Sequence, residues 1–201
     1  EGDIILVRKA GEIIPEVIRS VRHEGDSIPY KLPERCPVCG TLAERYEDES
    51  VLRCPNVDCP AQLLKSIIHF ASKGAMDIDG MGPAVVKTLL EKNIIMSVAD
   101  LYELTFEKLI GIDRFGEKSV NNLLSAIEKS KANSLDRLVY ALGIRNIGQR
   151  SAVLLCEKFS SMDEIMTADA DEIAGIDGFG EVMAQSVAKA FREPHMIALI
   201  D

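Results

Sequence analysis

From residue 60 onward, the apolar positions recur at the spacing of one helix face. In the segment PAQLLKSIIHFASKG, Leu63, Leu64, Ile67 and Ile68 repeat after four residues, a pattern typical of an amphipathic helix. Similar patterns continue to the end of the chain, so we predict that this part is essentially all α. Before residue 36 the apolar runs are short and are separated by Gly and Pro, which indicates strands.

The first 35 residues contain two strand-length apolar runs, one around Ile4 and one around Val17. Two or three strands cannot bury a core by themselves, so we expect that these residues end a small β domain and that the chain is cut from something longer. Arg8 and Lys9 follow the first run. They are candidates for contacts with phosphate, and the alternative is a solvated strand end.

The helical part contains an internal repeat. Four segments align, and they read IDGMGPAVVKTLL, IDRFGEKSVNNLL, IRNIGQRSAVLLC and IDGFGEVMAQSVA. Their last glycines are Gly82, Gly116, Gly148 and Gly180, which are 34, 32 and 32 residues apart. The connections after the first and third segments also resemble one another. The larger repeat is therefore two pairs, and we predict a pseudo-symmetric domain.

Each repeat predicts two helices joined by a short hairpin. We expect the apolar residue before the last glycine to pack between the helices and hold the turn rigid; these residues are Met81, Phe115, Ile147 and Phe179. Glycine on either side permits positive φ and a close approach of phosphate. The N–H groups at the start of the second helix then form an anion site. Because main-chain donors do not read base edges, such hairpins would bind the DNA backbone without sequence preference.

The alternative is that the glycines serve only the conformation of turns in a helix bundle. Four hairpins in phase, with Lys118 and Arg150 two residues after two of the glycines, favour DNA. Two hairpins depart from the glycine pattern, because Arg114 and Asn146 stand where the first glycine is expected. Asn tolerates positive φ well and Arg does not, so we expect a distorted turn at Arg114 or a phosphate contact by its side chain. The candidate DNA contacts are Arg8, Lys9, Gly80, Gly82, Arg114, Gly116, Lys118, Asn146, Gly148, Arg150, Gly178 and Gly180.

Four cysteines lie in two pairs, Cys36-x2-Cys39 and Cys54-x4-Cys59, with fourteen residues between the pairs. This spacing suits a tetrahedral four-thiolate zinc site. The alternatives are a disulfide framework and ordinary buried thiols. Gly40 can take the positive φ that a tight ligand loop demands. We predict that all four cysteines bind Zn²⁺ and that none is a catalyst.

Composition modifies this picture in one respect. The chain is 47% hydrophobic, which suffices for one or two cores, but its net charge of −9 argues against nucleic acid if taken globally. The distribution of charge along the chain matters more than its total. Residues 108–158 carry nine Lys and Arg against five acids, whereas residues 160–181 carry seven acids and no base. A polyanion would therefore be met by the first stretch.

Other chemistry has little support in the residues. We find neither a GxxxxGK loop nor a lysine followed by x-Asp-Gly that could be adenylated. His69 lies beside an apolar helix face and is expected to pack, as is Cys156. Asp169 and Asp171 are expected to start a solvated helix. The chain shows neither a signal peptide nor an apolar run of transmembrane length, so we predict a reducing cytoplasm and no membrane contact.

The order of these parts is specific: RKAG-x-IIP, CPVCG with a second cysteine pair, KGAMDIDGMG, and four helix-hairpin-helix units. It closely resembles the C-terminal half of bacterial NAD-dependent DNA ligases, over essentially the whole chain. The resemblance implies a mainly α fold with tandem helix-hairpin-helix motifs. It implies the end of an OB-fold at 1–35, a four-cysteine zinc finger at 36–60 and a helix-hairpin-helix domain at 61–201. The four units lie near 61–92, 98–130, 134–158 and 161–192.

The resemblance also implies a function. In that family an adenylation domain takes AMP from NAD and, with Mg²⁺, seals nicks in double-stranded DNA during replication and repair. That domain, the start of the OB-fold and the BRCT domain are not in this sequence, so NAD and Mg²⁺ are expected to act only in the longer enzyme, in the bacterial cytoplasm at the nucleoid. This chain alone is expected to bind nicked duplex and to be inactive.

The sequence is also compatible with two other functions. The first is a stand-alone DNA-structure-binding or repair-scaffold protein that uses the same hairpins. The second is a zinc-stabilised protein-interaction domain, which fits the acidity of the chain.

Overall fold

The computed structural model divides the chain into two compact units, residues 1–56 and 57–201. It describes residues 2–11, 13–23, 25, 31–45, 51–113 and 115–200. This part of the chain is mainly helical with few short strands, as predicted. None of its helices has the length and apolar character needed to cross a bilayer. Arg114 lies outside the described residues.

The first unit begins with an antiparallel ribbon. Strand β1 (Ile4–Ala10) pairs with β2 (Ile14–Arg22), and Val7 stands opposite Val17. The apolar side chains of both strands are exposed. The two strand-length runs of the sequence are thus confirmed as strands, and the ribbon by itself buries no core among the described residues, as expected for two strands alone.

Residues 35–53, which contain the first pair of cysteines, follow in the same unit. Strand β3 (Glu44–Arg45) pairs with β4 (Leu52–Arg53), and an isolated bridge joins Arg35 and Leu42. Between the bridge partners the chain turns tightly, because the Gly40 N–H donates to the Cys36 carbonyl at 2.9 Å. Gly40 has a φ of +74° there, which confirms the conformation predicted for it.

The second unit is a succession of ten α-helices within the described residues. They are α1 (Pro60–Ala71), α2 (Pro83–Glu91), α3 (Phe106–Leu109), α4 (Glu117–Ser130), α5 (Leu135–Ala141), α6 (Gln149–Lys158), α7 (Met162–Thr167), α8 (Ala170–Ala174), α9 (Glu181–Ala190) and α10 (Pro194–Ile200). A 3-10 helix spans Ala99–Glu103 between α2 and α3.

Three of these helices begin at a side chain that caps them. The side chains of Thr105, Ser161 and Asp169 accept hydrogen bonds from the third N–H of α3, α7 and α8. At Asp169 the bond is reciprocal, since the Glu172 side chain accepts from the Asp169 N–H, which is a capping box. The prediction that Asp169 starts a helix is confirmed.

The helices bury two apolar cores, one for each half of the repeat. Helices α1 to α4, with Ala141 of α5, surround the first core, in which Ile67, Leu89 and Leu123 are almost fully buried. Helices α5 to α10 surround the second, which includes Leu155 and Ile173. Burial of such side chains contributes about 1.5–3 kcal/mol each. The two pairs of hairpins thus have separate cores.

His69 lies where the two halves meet. Its Nε2 is 2.8 Å from the Tyr140 carbonyl oxygen, and its ring meets the Tyr140 ring edge-on at 4.8 Å. A carbonyl oxygen only accepts, so Nε2 carries the proton and donates. The histidine therefore joins α1 to α5, in agreement with the packing role predicted for it.

Candidate zinc centre and nucleic-acid interface

The sulfur atoms of Cys36, Cys39, Cys54 and Cys59 lie within 4.8 Å of one another, and those of Cys39 and Cys54 are 3.4 Å apart. A tetrahedral zinc with Zn–S bonds near 2.3 Å would hold its sulfurs about 3.8 Å apart. The structure thus brings together the four residues that the spacing predicted. The donor set, four thiols with no carboxylate, is the one that structural zinc prefers.

One of these thiols is set up to ionise. The Sγ of Cys39 lies 3.3 Å from Thr41 Oγ1. Hydrogen bonds from the Thr41 hydroxyl and backbone N–H favour the thiolate, and they lower the pKa of Cys39 from the ordinary value of 9.0 to about 6. Because a metal binds the thiolate and not the thiol, this lowering of the pKa favours metal binding at Cys39.

Cys156 has the opposite environment. It lies on α6, partly buried against the second core. Burial, with a smaller contribution from the charge of Asp136, raises the pKa of Cys156 to about 11. This thiol stays protonated and is a packing residue, as predicted.

The four hairpins share one backbone hydrogen bond. In each, the N–H of the apolar residue before the last glycine donates to the carbonyl of the isoleucine three residues earlier, at 2.9–3.2 Å. Three of these apolar residues, Met81, Ile147 and Phe179, are buried, whereas Phe115 is half-buried. The repeat in the sequence is therefore also a repeat of this hydrogen bond.

The third residue of three of these turns has positive φ. The values are +87° at Gly80, +64° at Asn146 and +89° at Gly178. A turn with positive φ only at this position is of type II. The prediction that Asn146 tolerates the left-handed region is confirmed. The fourth such position is Arg114, which lies outside the described residues.

The last glycine of each hairpin corrects one expectation. Gly82, Gly116, Gly148 and Gly180 have φ between −73° and −91°, so positive φ is not the reason for glycine there. A Cβ added at any of the four would meet no atom within 4 Å. Backbone conformation and internal packing therefore both permit a side chain at these positions.

These same glycines are the N-caps of α2, α4, α6 and α9, and within the part of the chain that the structure describes no side chain caps any of the four helices. The first N–H groups of an uncapped helix have no intrahelical partner. They carry the positive end of the helix dipole. We number the hairpins 1 to 4 in chain order, by their last glycines Gly82, Gly116, Gly148 and Gly180. Hairpin 1 has one N–H donor fewer than the others, because Pro83 at the first helical position has no N–H.

Charged side chains differ among the hairpins. Lys118 and Arg150 are exposed, and neither forms a hydrogen bond or ion pair with any described residue. Hairpin 2 also carries Asp113 and Glu117, so its surroundings are less basic than the composition of residues 108–158 suggests. At the β-ribbon, Lys9 is exposed, whereas Arg8 forms an exposed ion pair with Glu16 at 2.9 Å.

One contact of the third hairpin was not anticipated from the sequence. The Asn146 side chain donates to Ser186 Oγ at 3.0 Å, and this hydrogen bond holds hairpin 3 against α9. The two residues are forty positions apart. No periodic pattern connects them, so the sequence carries no signal for the pair.

Comparisons with known proteins match the same three regions. Residues 35–61 match the NAD-dependent DNA ligase C4 zinc finger domain. Residues 73–129 match the SAM-like helix-hairpin-helix tandem, and residues 137–200 match the helix-hairpin-helix motif. The three regions follow one another in the order that the sequence resemblance implied.

The relatives named DNA ligase extend this match over the chain. A DNA ligase of Acetivibrio thermocellus is 50% identical over 196 residues, and one of Thermoanaerobacter sp. (strain X514) is 48% identical over 202 residues. These matches cover 96% and 100% of this chain but 30% of each relative. A DNA ligase of Oceanobacillus iheyensis is 45% identical over 201 residues, with 99% and 30% covered. The chain spans about 30% of the length of the relatives it matches. It belongs with the NAD-dependent DNA ligases, as a zinc-finger and helix-hairpin-helix region of that family.

Proposed function

We propose that the four hairpins bind duplex DNA through its phosphate backbone, without base preference. In the longer enzyme this contact holds DNA while an adenylation domain seals a nick. The proposal rests on one observation: four helices begin at a glycine that neither backbone conformation nor packing requires, and none has a side-chain cap. Such a residue leaves the free N–H groups open to a ligand from outside.

Phosphate is the ligand that this surface suits. Each uncapped N-terminus offers parallel N–H donors and a partial positive charge, which together favour an anion. Four such sites on one domain suit a polyanion more than a single small anion. Because main-chain donors reach phosphate oxygens and not base edges, binding of this kind is non-specific.

The two basic side chains add to the sites where they stand. Lys118 is the second residue of α4 and Arg150 is the second residue of α6. At this position the side chain and the helix dipole attract the same anion. We therefore assign phosphate contacts to Lys118 and Arg150 and to the N–H groups after Gly82, Gly116, Gly148 and Gly180, with Gly80, Asn146 and Gly178 shaping the turns. Arg8, Lys9 and Arg114 are assigned weaker or additional contacts.

Zinc has a structural role in this proposal. Cys36, Cys39, Cys54 and Cys59 would hold it, and it would supply cross-links to a segment whose strands are two residues long. All four positions around the metal would be filled by protein, so no position is left for a substrate.

The domain plan implied by the resemblance is part of the same proposal. Residues 1–35 would end an OB-fold, residues 36–60 would form the zinc finger, and residues 61–201 would form the DNA-binding domain. The adenylation, OB-fold N-terminal and BRCT parts would belong to the longer enzyme, which would use NAD and Mg²⁺ in the cytoplasm for replication and repair.

The test is a titration of the chain with nicked duplexes of two unrelated sequences, at several salt concentrations. We expect similar affinity for both sequences and a linear fall of log K with log salt, with a slope of about −0.9 for each phosphate neutralised. Absence of binding at low salt would refute the proposal and would favour the protein-interaction domain. A strong preference for one sequence would refute backbone recognition.

A second test concerns chemistry. The chain contains no lysine followed by x-Asp-Gly, so incubation with NAD labelled in its AMP moiety should leave no label on it. Covalent labelling of the chain would show an adenylation site that this proposal does not contain.

A further inference from the structure

Three side chains from the second half of the helical unit donate to main-chain carbonyls of one short loop in the first half. The loop comprises residues 73–76, between α1 and hairpin 1. Arg137 donates to the Lys73 carbonyl at 2.8 Å, Gln149 to the Gly74 carbonyl at 3.2 Å and Asn133 to the Met76 carbonyl at 2.8 Å. These bonds join residues that are 57 to 75 positions apart.

Gln149 is the informative member of this group. It is the first residue of α6, directly after Gly148, so its backbone belongs to hairpin 3 while its side chain reaches the loop before hairpin 1. The bond to Gly74 therefore runs from one hairpin pair to the other.

The same contact explains why residue 74 is a glycine. It is not in the left-handed region, so conformation does not demand glycine there. A Cβ at residue 74 would overlap the amide nitrogen of Gln149, whereas its next neighbours, Gln149 Cδ and Tyr140 Cε1, would lie at ordinary contact distances of 3.5 and 3.6 Å. The close approach of the Gln149 amide is the feature of the structure that leaves no room for a side chain.

We propose that Gln149 and Gly74 form a latch that couples the two hairpin pairs, so that both pairs meet one duplex in a fixed arrangement. Gln149 is then a positioning residue, which acts through the placement of hairpin 3. This inference rests on the proposed function, because its consequence for binding requires that the hairpins bind DNA.

Coupling changes affinity through effective concentration. When one pair is bound, a fixed arrangement places the second pair at its phosphates, and a looser arrangement lowers the chance of that contact. A lost hydrogen bond of ordinary strength corresponds to roughly a threefold to tenfold change in an equilibrium constant. Since Arg137 and Asn133 still hold the loop when Gln149 is displaced, we expect a loss of about this size and not abolition of binding.

The experiment uses Gly74→Ala, Gln149→Ala and the double variant, with Gly175→Ala as a matched control. Gly74→Ala displaces only the end of a flexible side chain, so the fold should survive, and residue 74 itself is assigned no phosphate contact. At Gly175 the nearest atom to an added Cβ lies at 3.4 Å, and φ is −70°, so alanine fits there.

Affinity is measured with the whole chain and a length series of blunt duplexes. Each single variant should bind long duplexes about threefold to tenfold more weakly than the wild type, and the gain in affinity with duplex length should be smaller. Gly74→Ala should cause no further loss when residue 149 is already alanine, because the clash is gone. Gly175→Ala and the wild type should bind alike. Equal affinity of Gly74→Ala and wild type, or additive losses in the double variant, would overturn the latch.

Amide hydrogen exchange of residues 72–78 without DNA tests the latch independently of binding. Exchange should rise by a similar factor in both single variants and no further in the double variant. Unchanged exchange in this loop would overturn the latch even if the variants bound DNA weakly. If the wild type failed to bind duplex while exchange behaved as expected, the proposed function would fail and the contact itself would stand.

Discussion

The glycine before each hairpin helix is a residue whose identity the fold does not require. Serine or aspartate in this position can cap a helix, and elsewhere in the same chain Thr105, Ser161 and Asp169 do so, whereas Ser134 at the start of α5 does not. A cap side chain occupies the N–H groups that an anion would use. The missing cap therefore leaves these N–H groups to the proposed anion, at a small cost in helix stability.

Replacement of Gly148 by Ser tests this at a single residue. Serine should cap α6, so stability should stay within a few tenths of a kcal/mol of the wild type or rise slightly. The same side chain occupies a donor and blocks close approach, so DNA affinity should fall by about tenfold or more. Thermal unfolding and a duplex titration would give the two values. Retained affinity in a folded variant would show that phosphate does not approach Gly148.

The thiols of Cys39 and Cys156 should differ in reactivity in the metal-free protein. Iodoacetamide reacts with the thiolate, so the alkylation rate of Cys39 should rise through a midpoint at about pH 6. Cys156, with a pKa of about 11, should stay nearly unreactive at neutral pH. The rates can be followed by mass spectrometry of peptides.

Thr41→Val is the control for the cause. It keeps the shape of the side chain and removes the hydroxyl that favours the thiolate, so the midpoint for Cys39 should move to higher pH. An unchanged profile would mean that the Thr41 hydroxyl does not set this pKa.

At the scale of elements, the zinc finger and the helices draw on different sources of stability. Strands β3 and β4 are two residues long and β3 is exposed. The helical unit has two apolar cores of its own. Removal of metal should therefore affect one element and spare the other.

Cys54→Ser should lower the zinc content from about one ion per chain and raise amide exchange around residues 34–43, where the tight turn is held by few hydrogen bonds. The helical signal in circular dichroism should persist. Cys156→Ser is the matched control and should keep its zinc. A metal content well below one ion in the native chain, with paired thiols, would contradict the zinc assignment.

Lys118 and Arg150 occupy equivalent positions at the starts of α4 and α6. Each alanine replacement should weaken binding uniformly across sequences and reduce the salt slope by about 0.9. Lys129, in the last turn of α4, is the control, because it has the same charge at the other end of the helix. A salt slope that falls equally for Lys129→Ala would point to the net charge of the domain and not to the hairpins.

At the scale of the whole helical unit, the pseudo-symmetry of the backbone and the distribution of charge point in different directions. The same backbone hydrogen bond closes all four turns, which favours equal contributions. Hairpin 4, however, carries Asp177 and Glu181 within an acidic stretch, and hairpin 3 carries Arg150. Because like charge repels phosphate, we expect hairpin 4 to contribute least.

Comparison of Gly180→Ser with Gly148→Ser decides between geometry and charge. Both substitutions change the same position of the same turn, and both cap a ten-residue helix. If charge governs, the loss of affinity at Gly180 should be clearly smaller, and the difference should shrink as salt is raised. Equal losses in folded variants at low salt would show that the geometry sets the contacts.

Several features of this molecule could be predicted from the chain alone because their signals are local. An amphipathic helix shows apolar residues three and four positions apart in the sequence. A repeat at 32 to 34 residues indicates the hairpins. Cysteine spacing predicted the group of four thiols. The positive φ of Asn146 follows from the residue type that best tolerates it after glycine.

Other features were decided only when the chain was folded. Nothing in the sequence tells Gly74, which makes room for Gln149, from Gly148, which faces open space. Arg8 is as basic in the sequence as Arg150, but in the fold it pairs with Glu16. Contacts between residues 40 to 75 positions apart, such as Asn146 with Ser186 and Gln149 with Gly74, depend on how helices pack. Packing leaves no periodic trace along the chain, so the sequence determined the elements and the kind of site, and the tertiary structure decided which residues are open to a ligand.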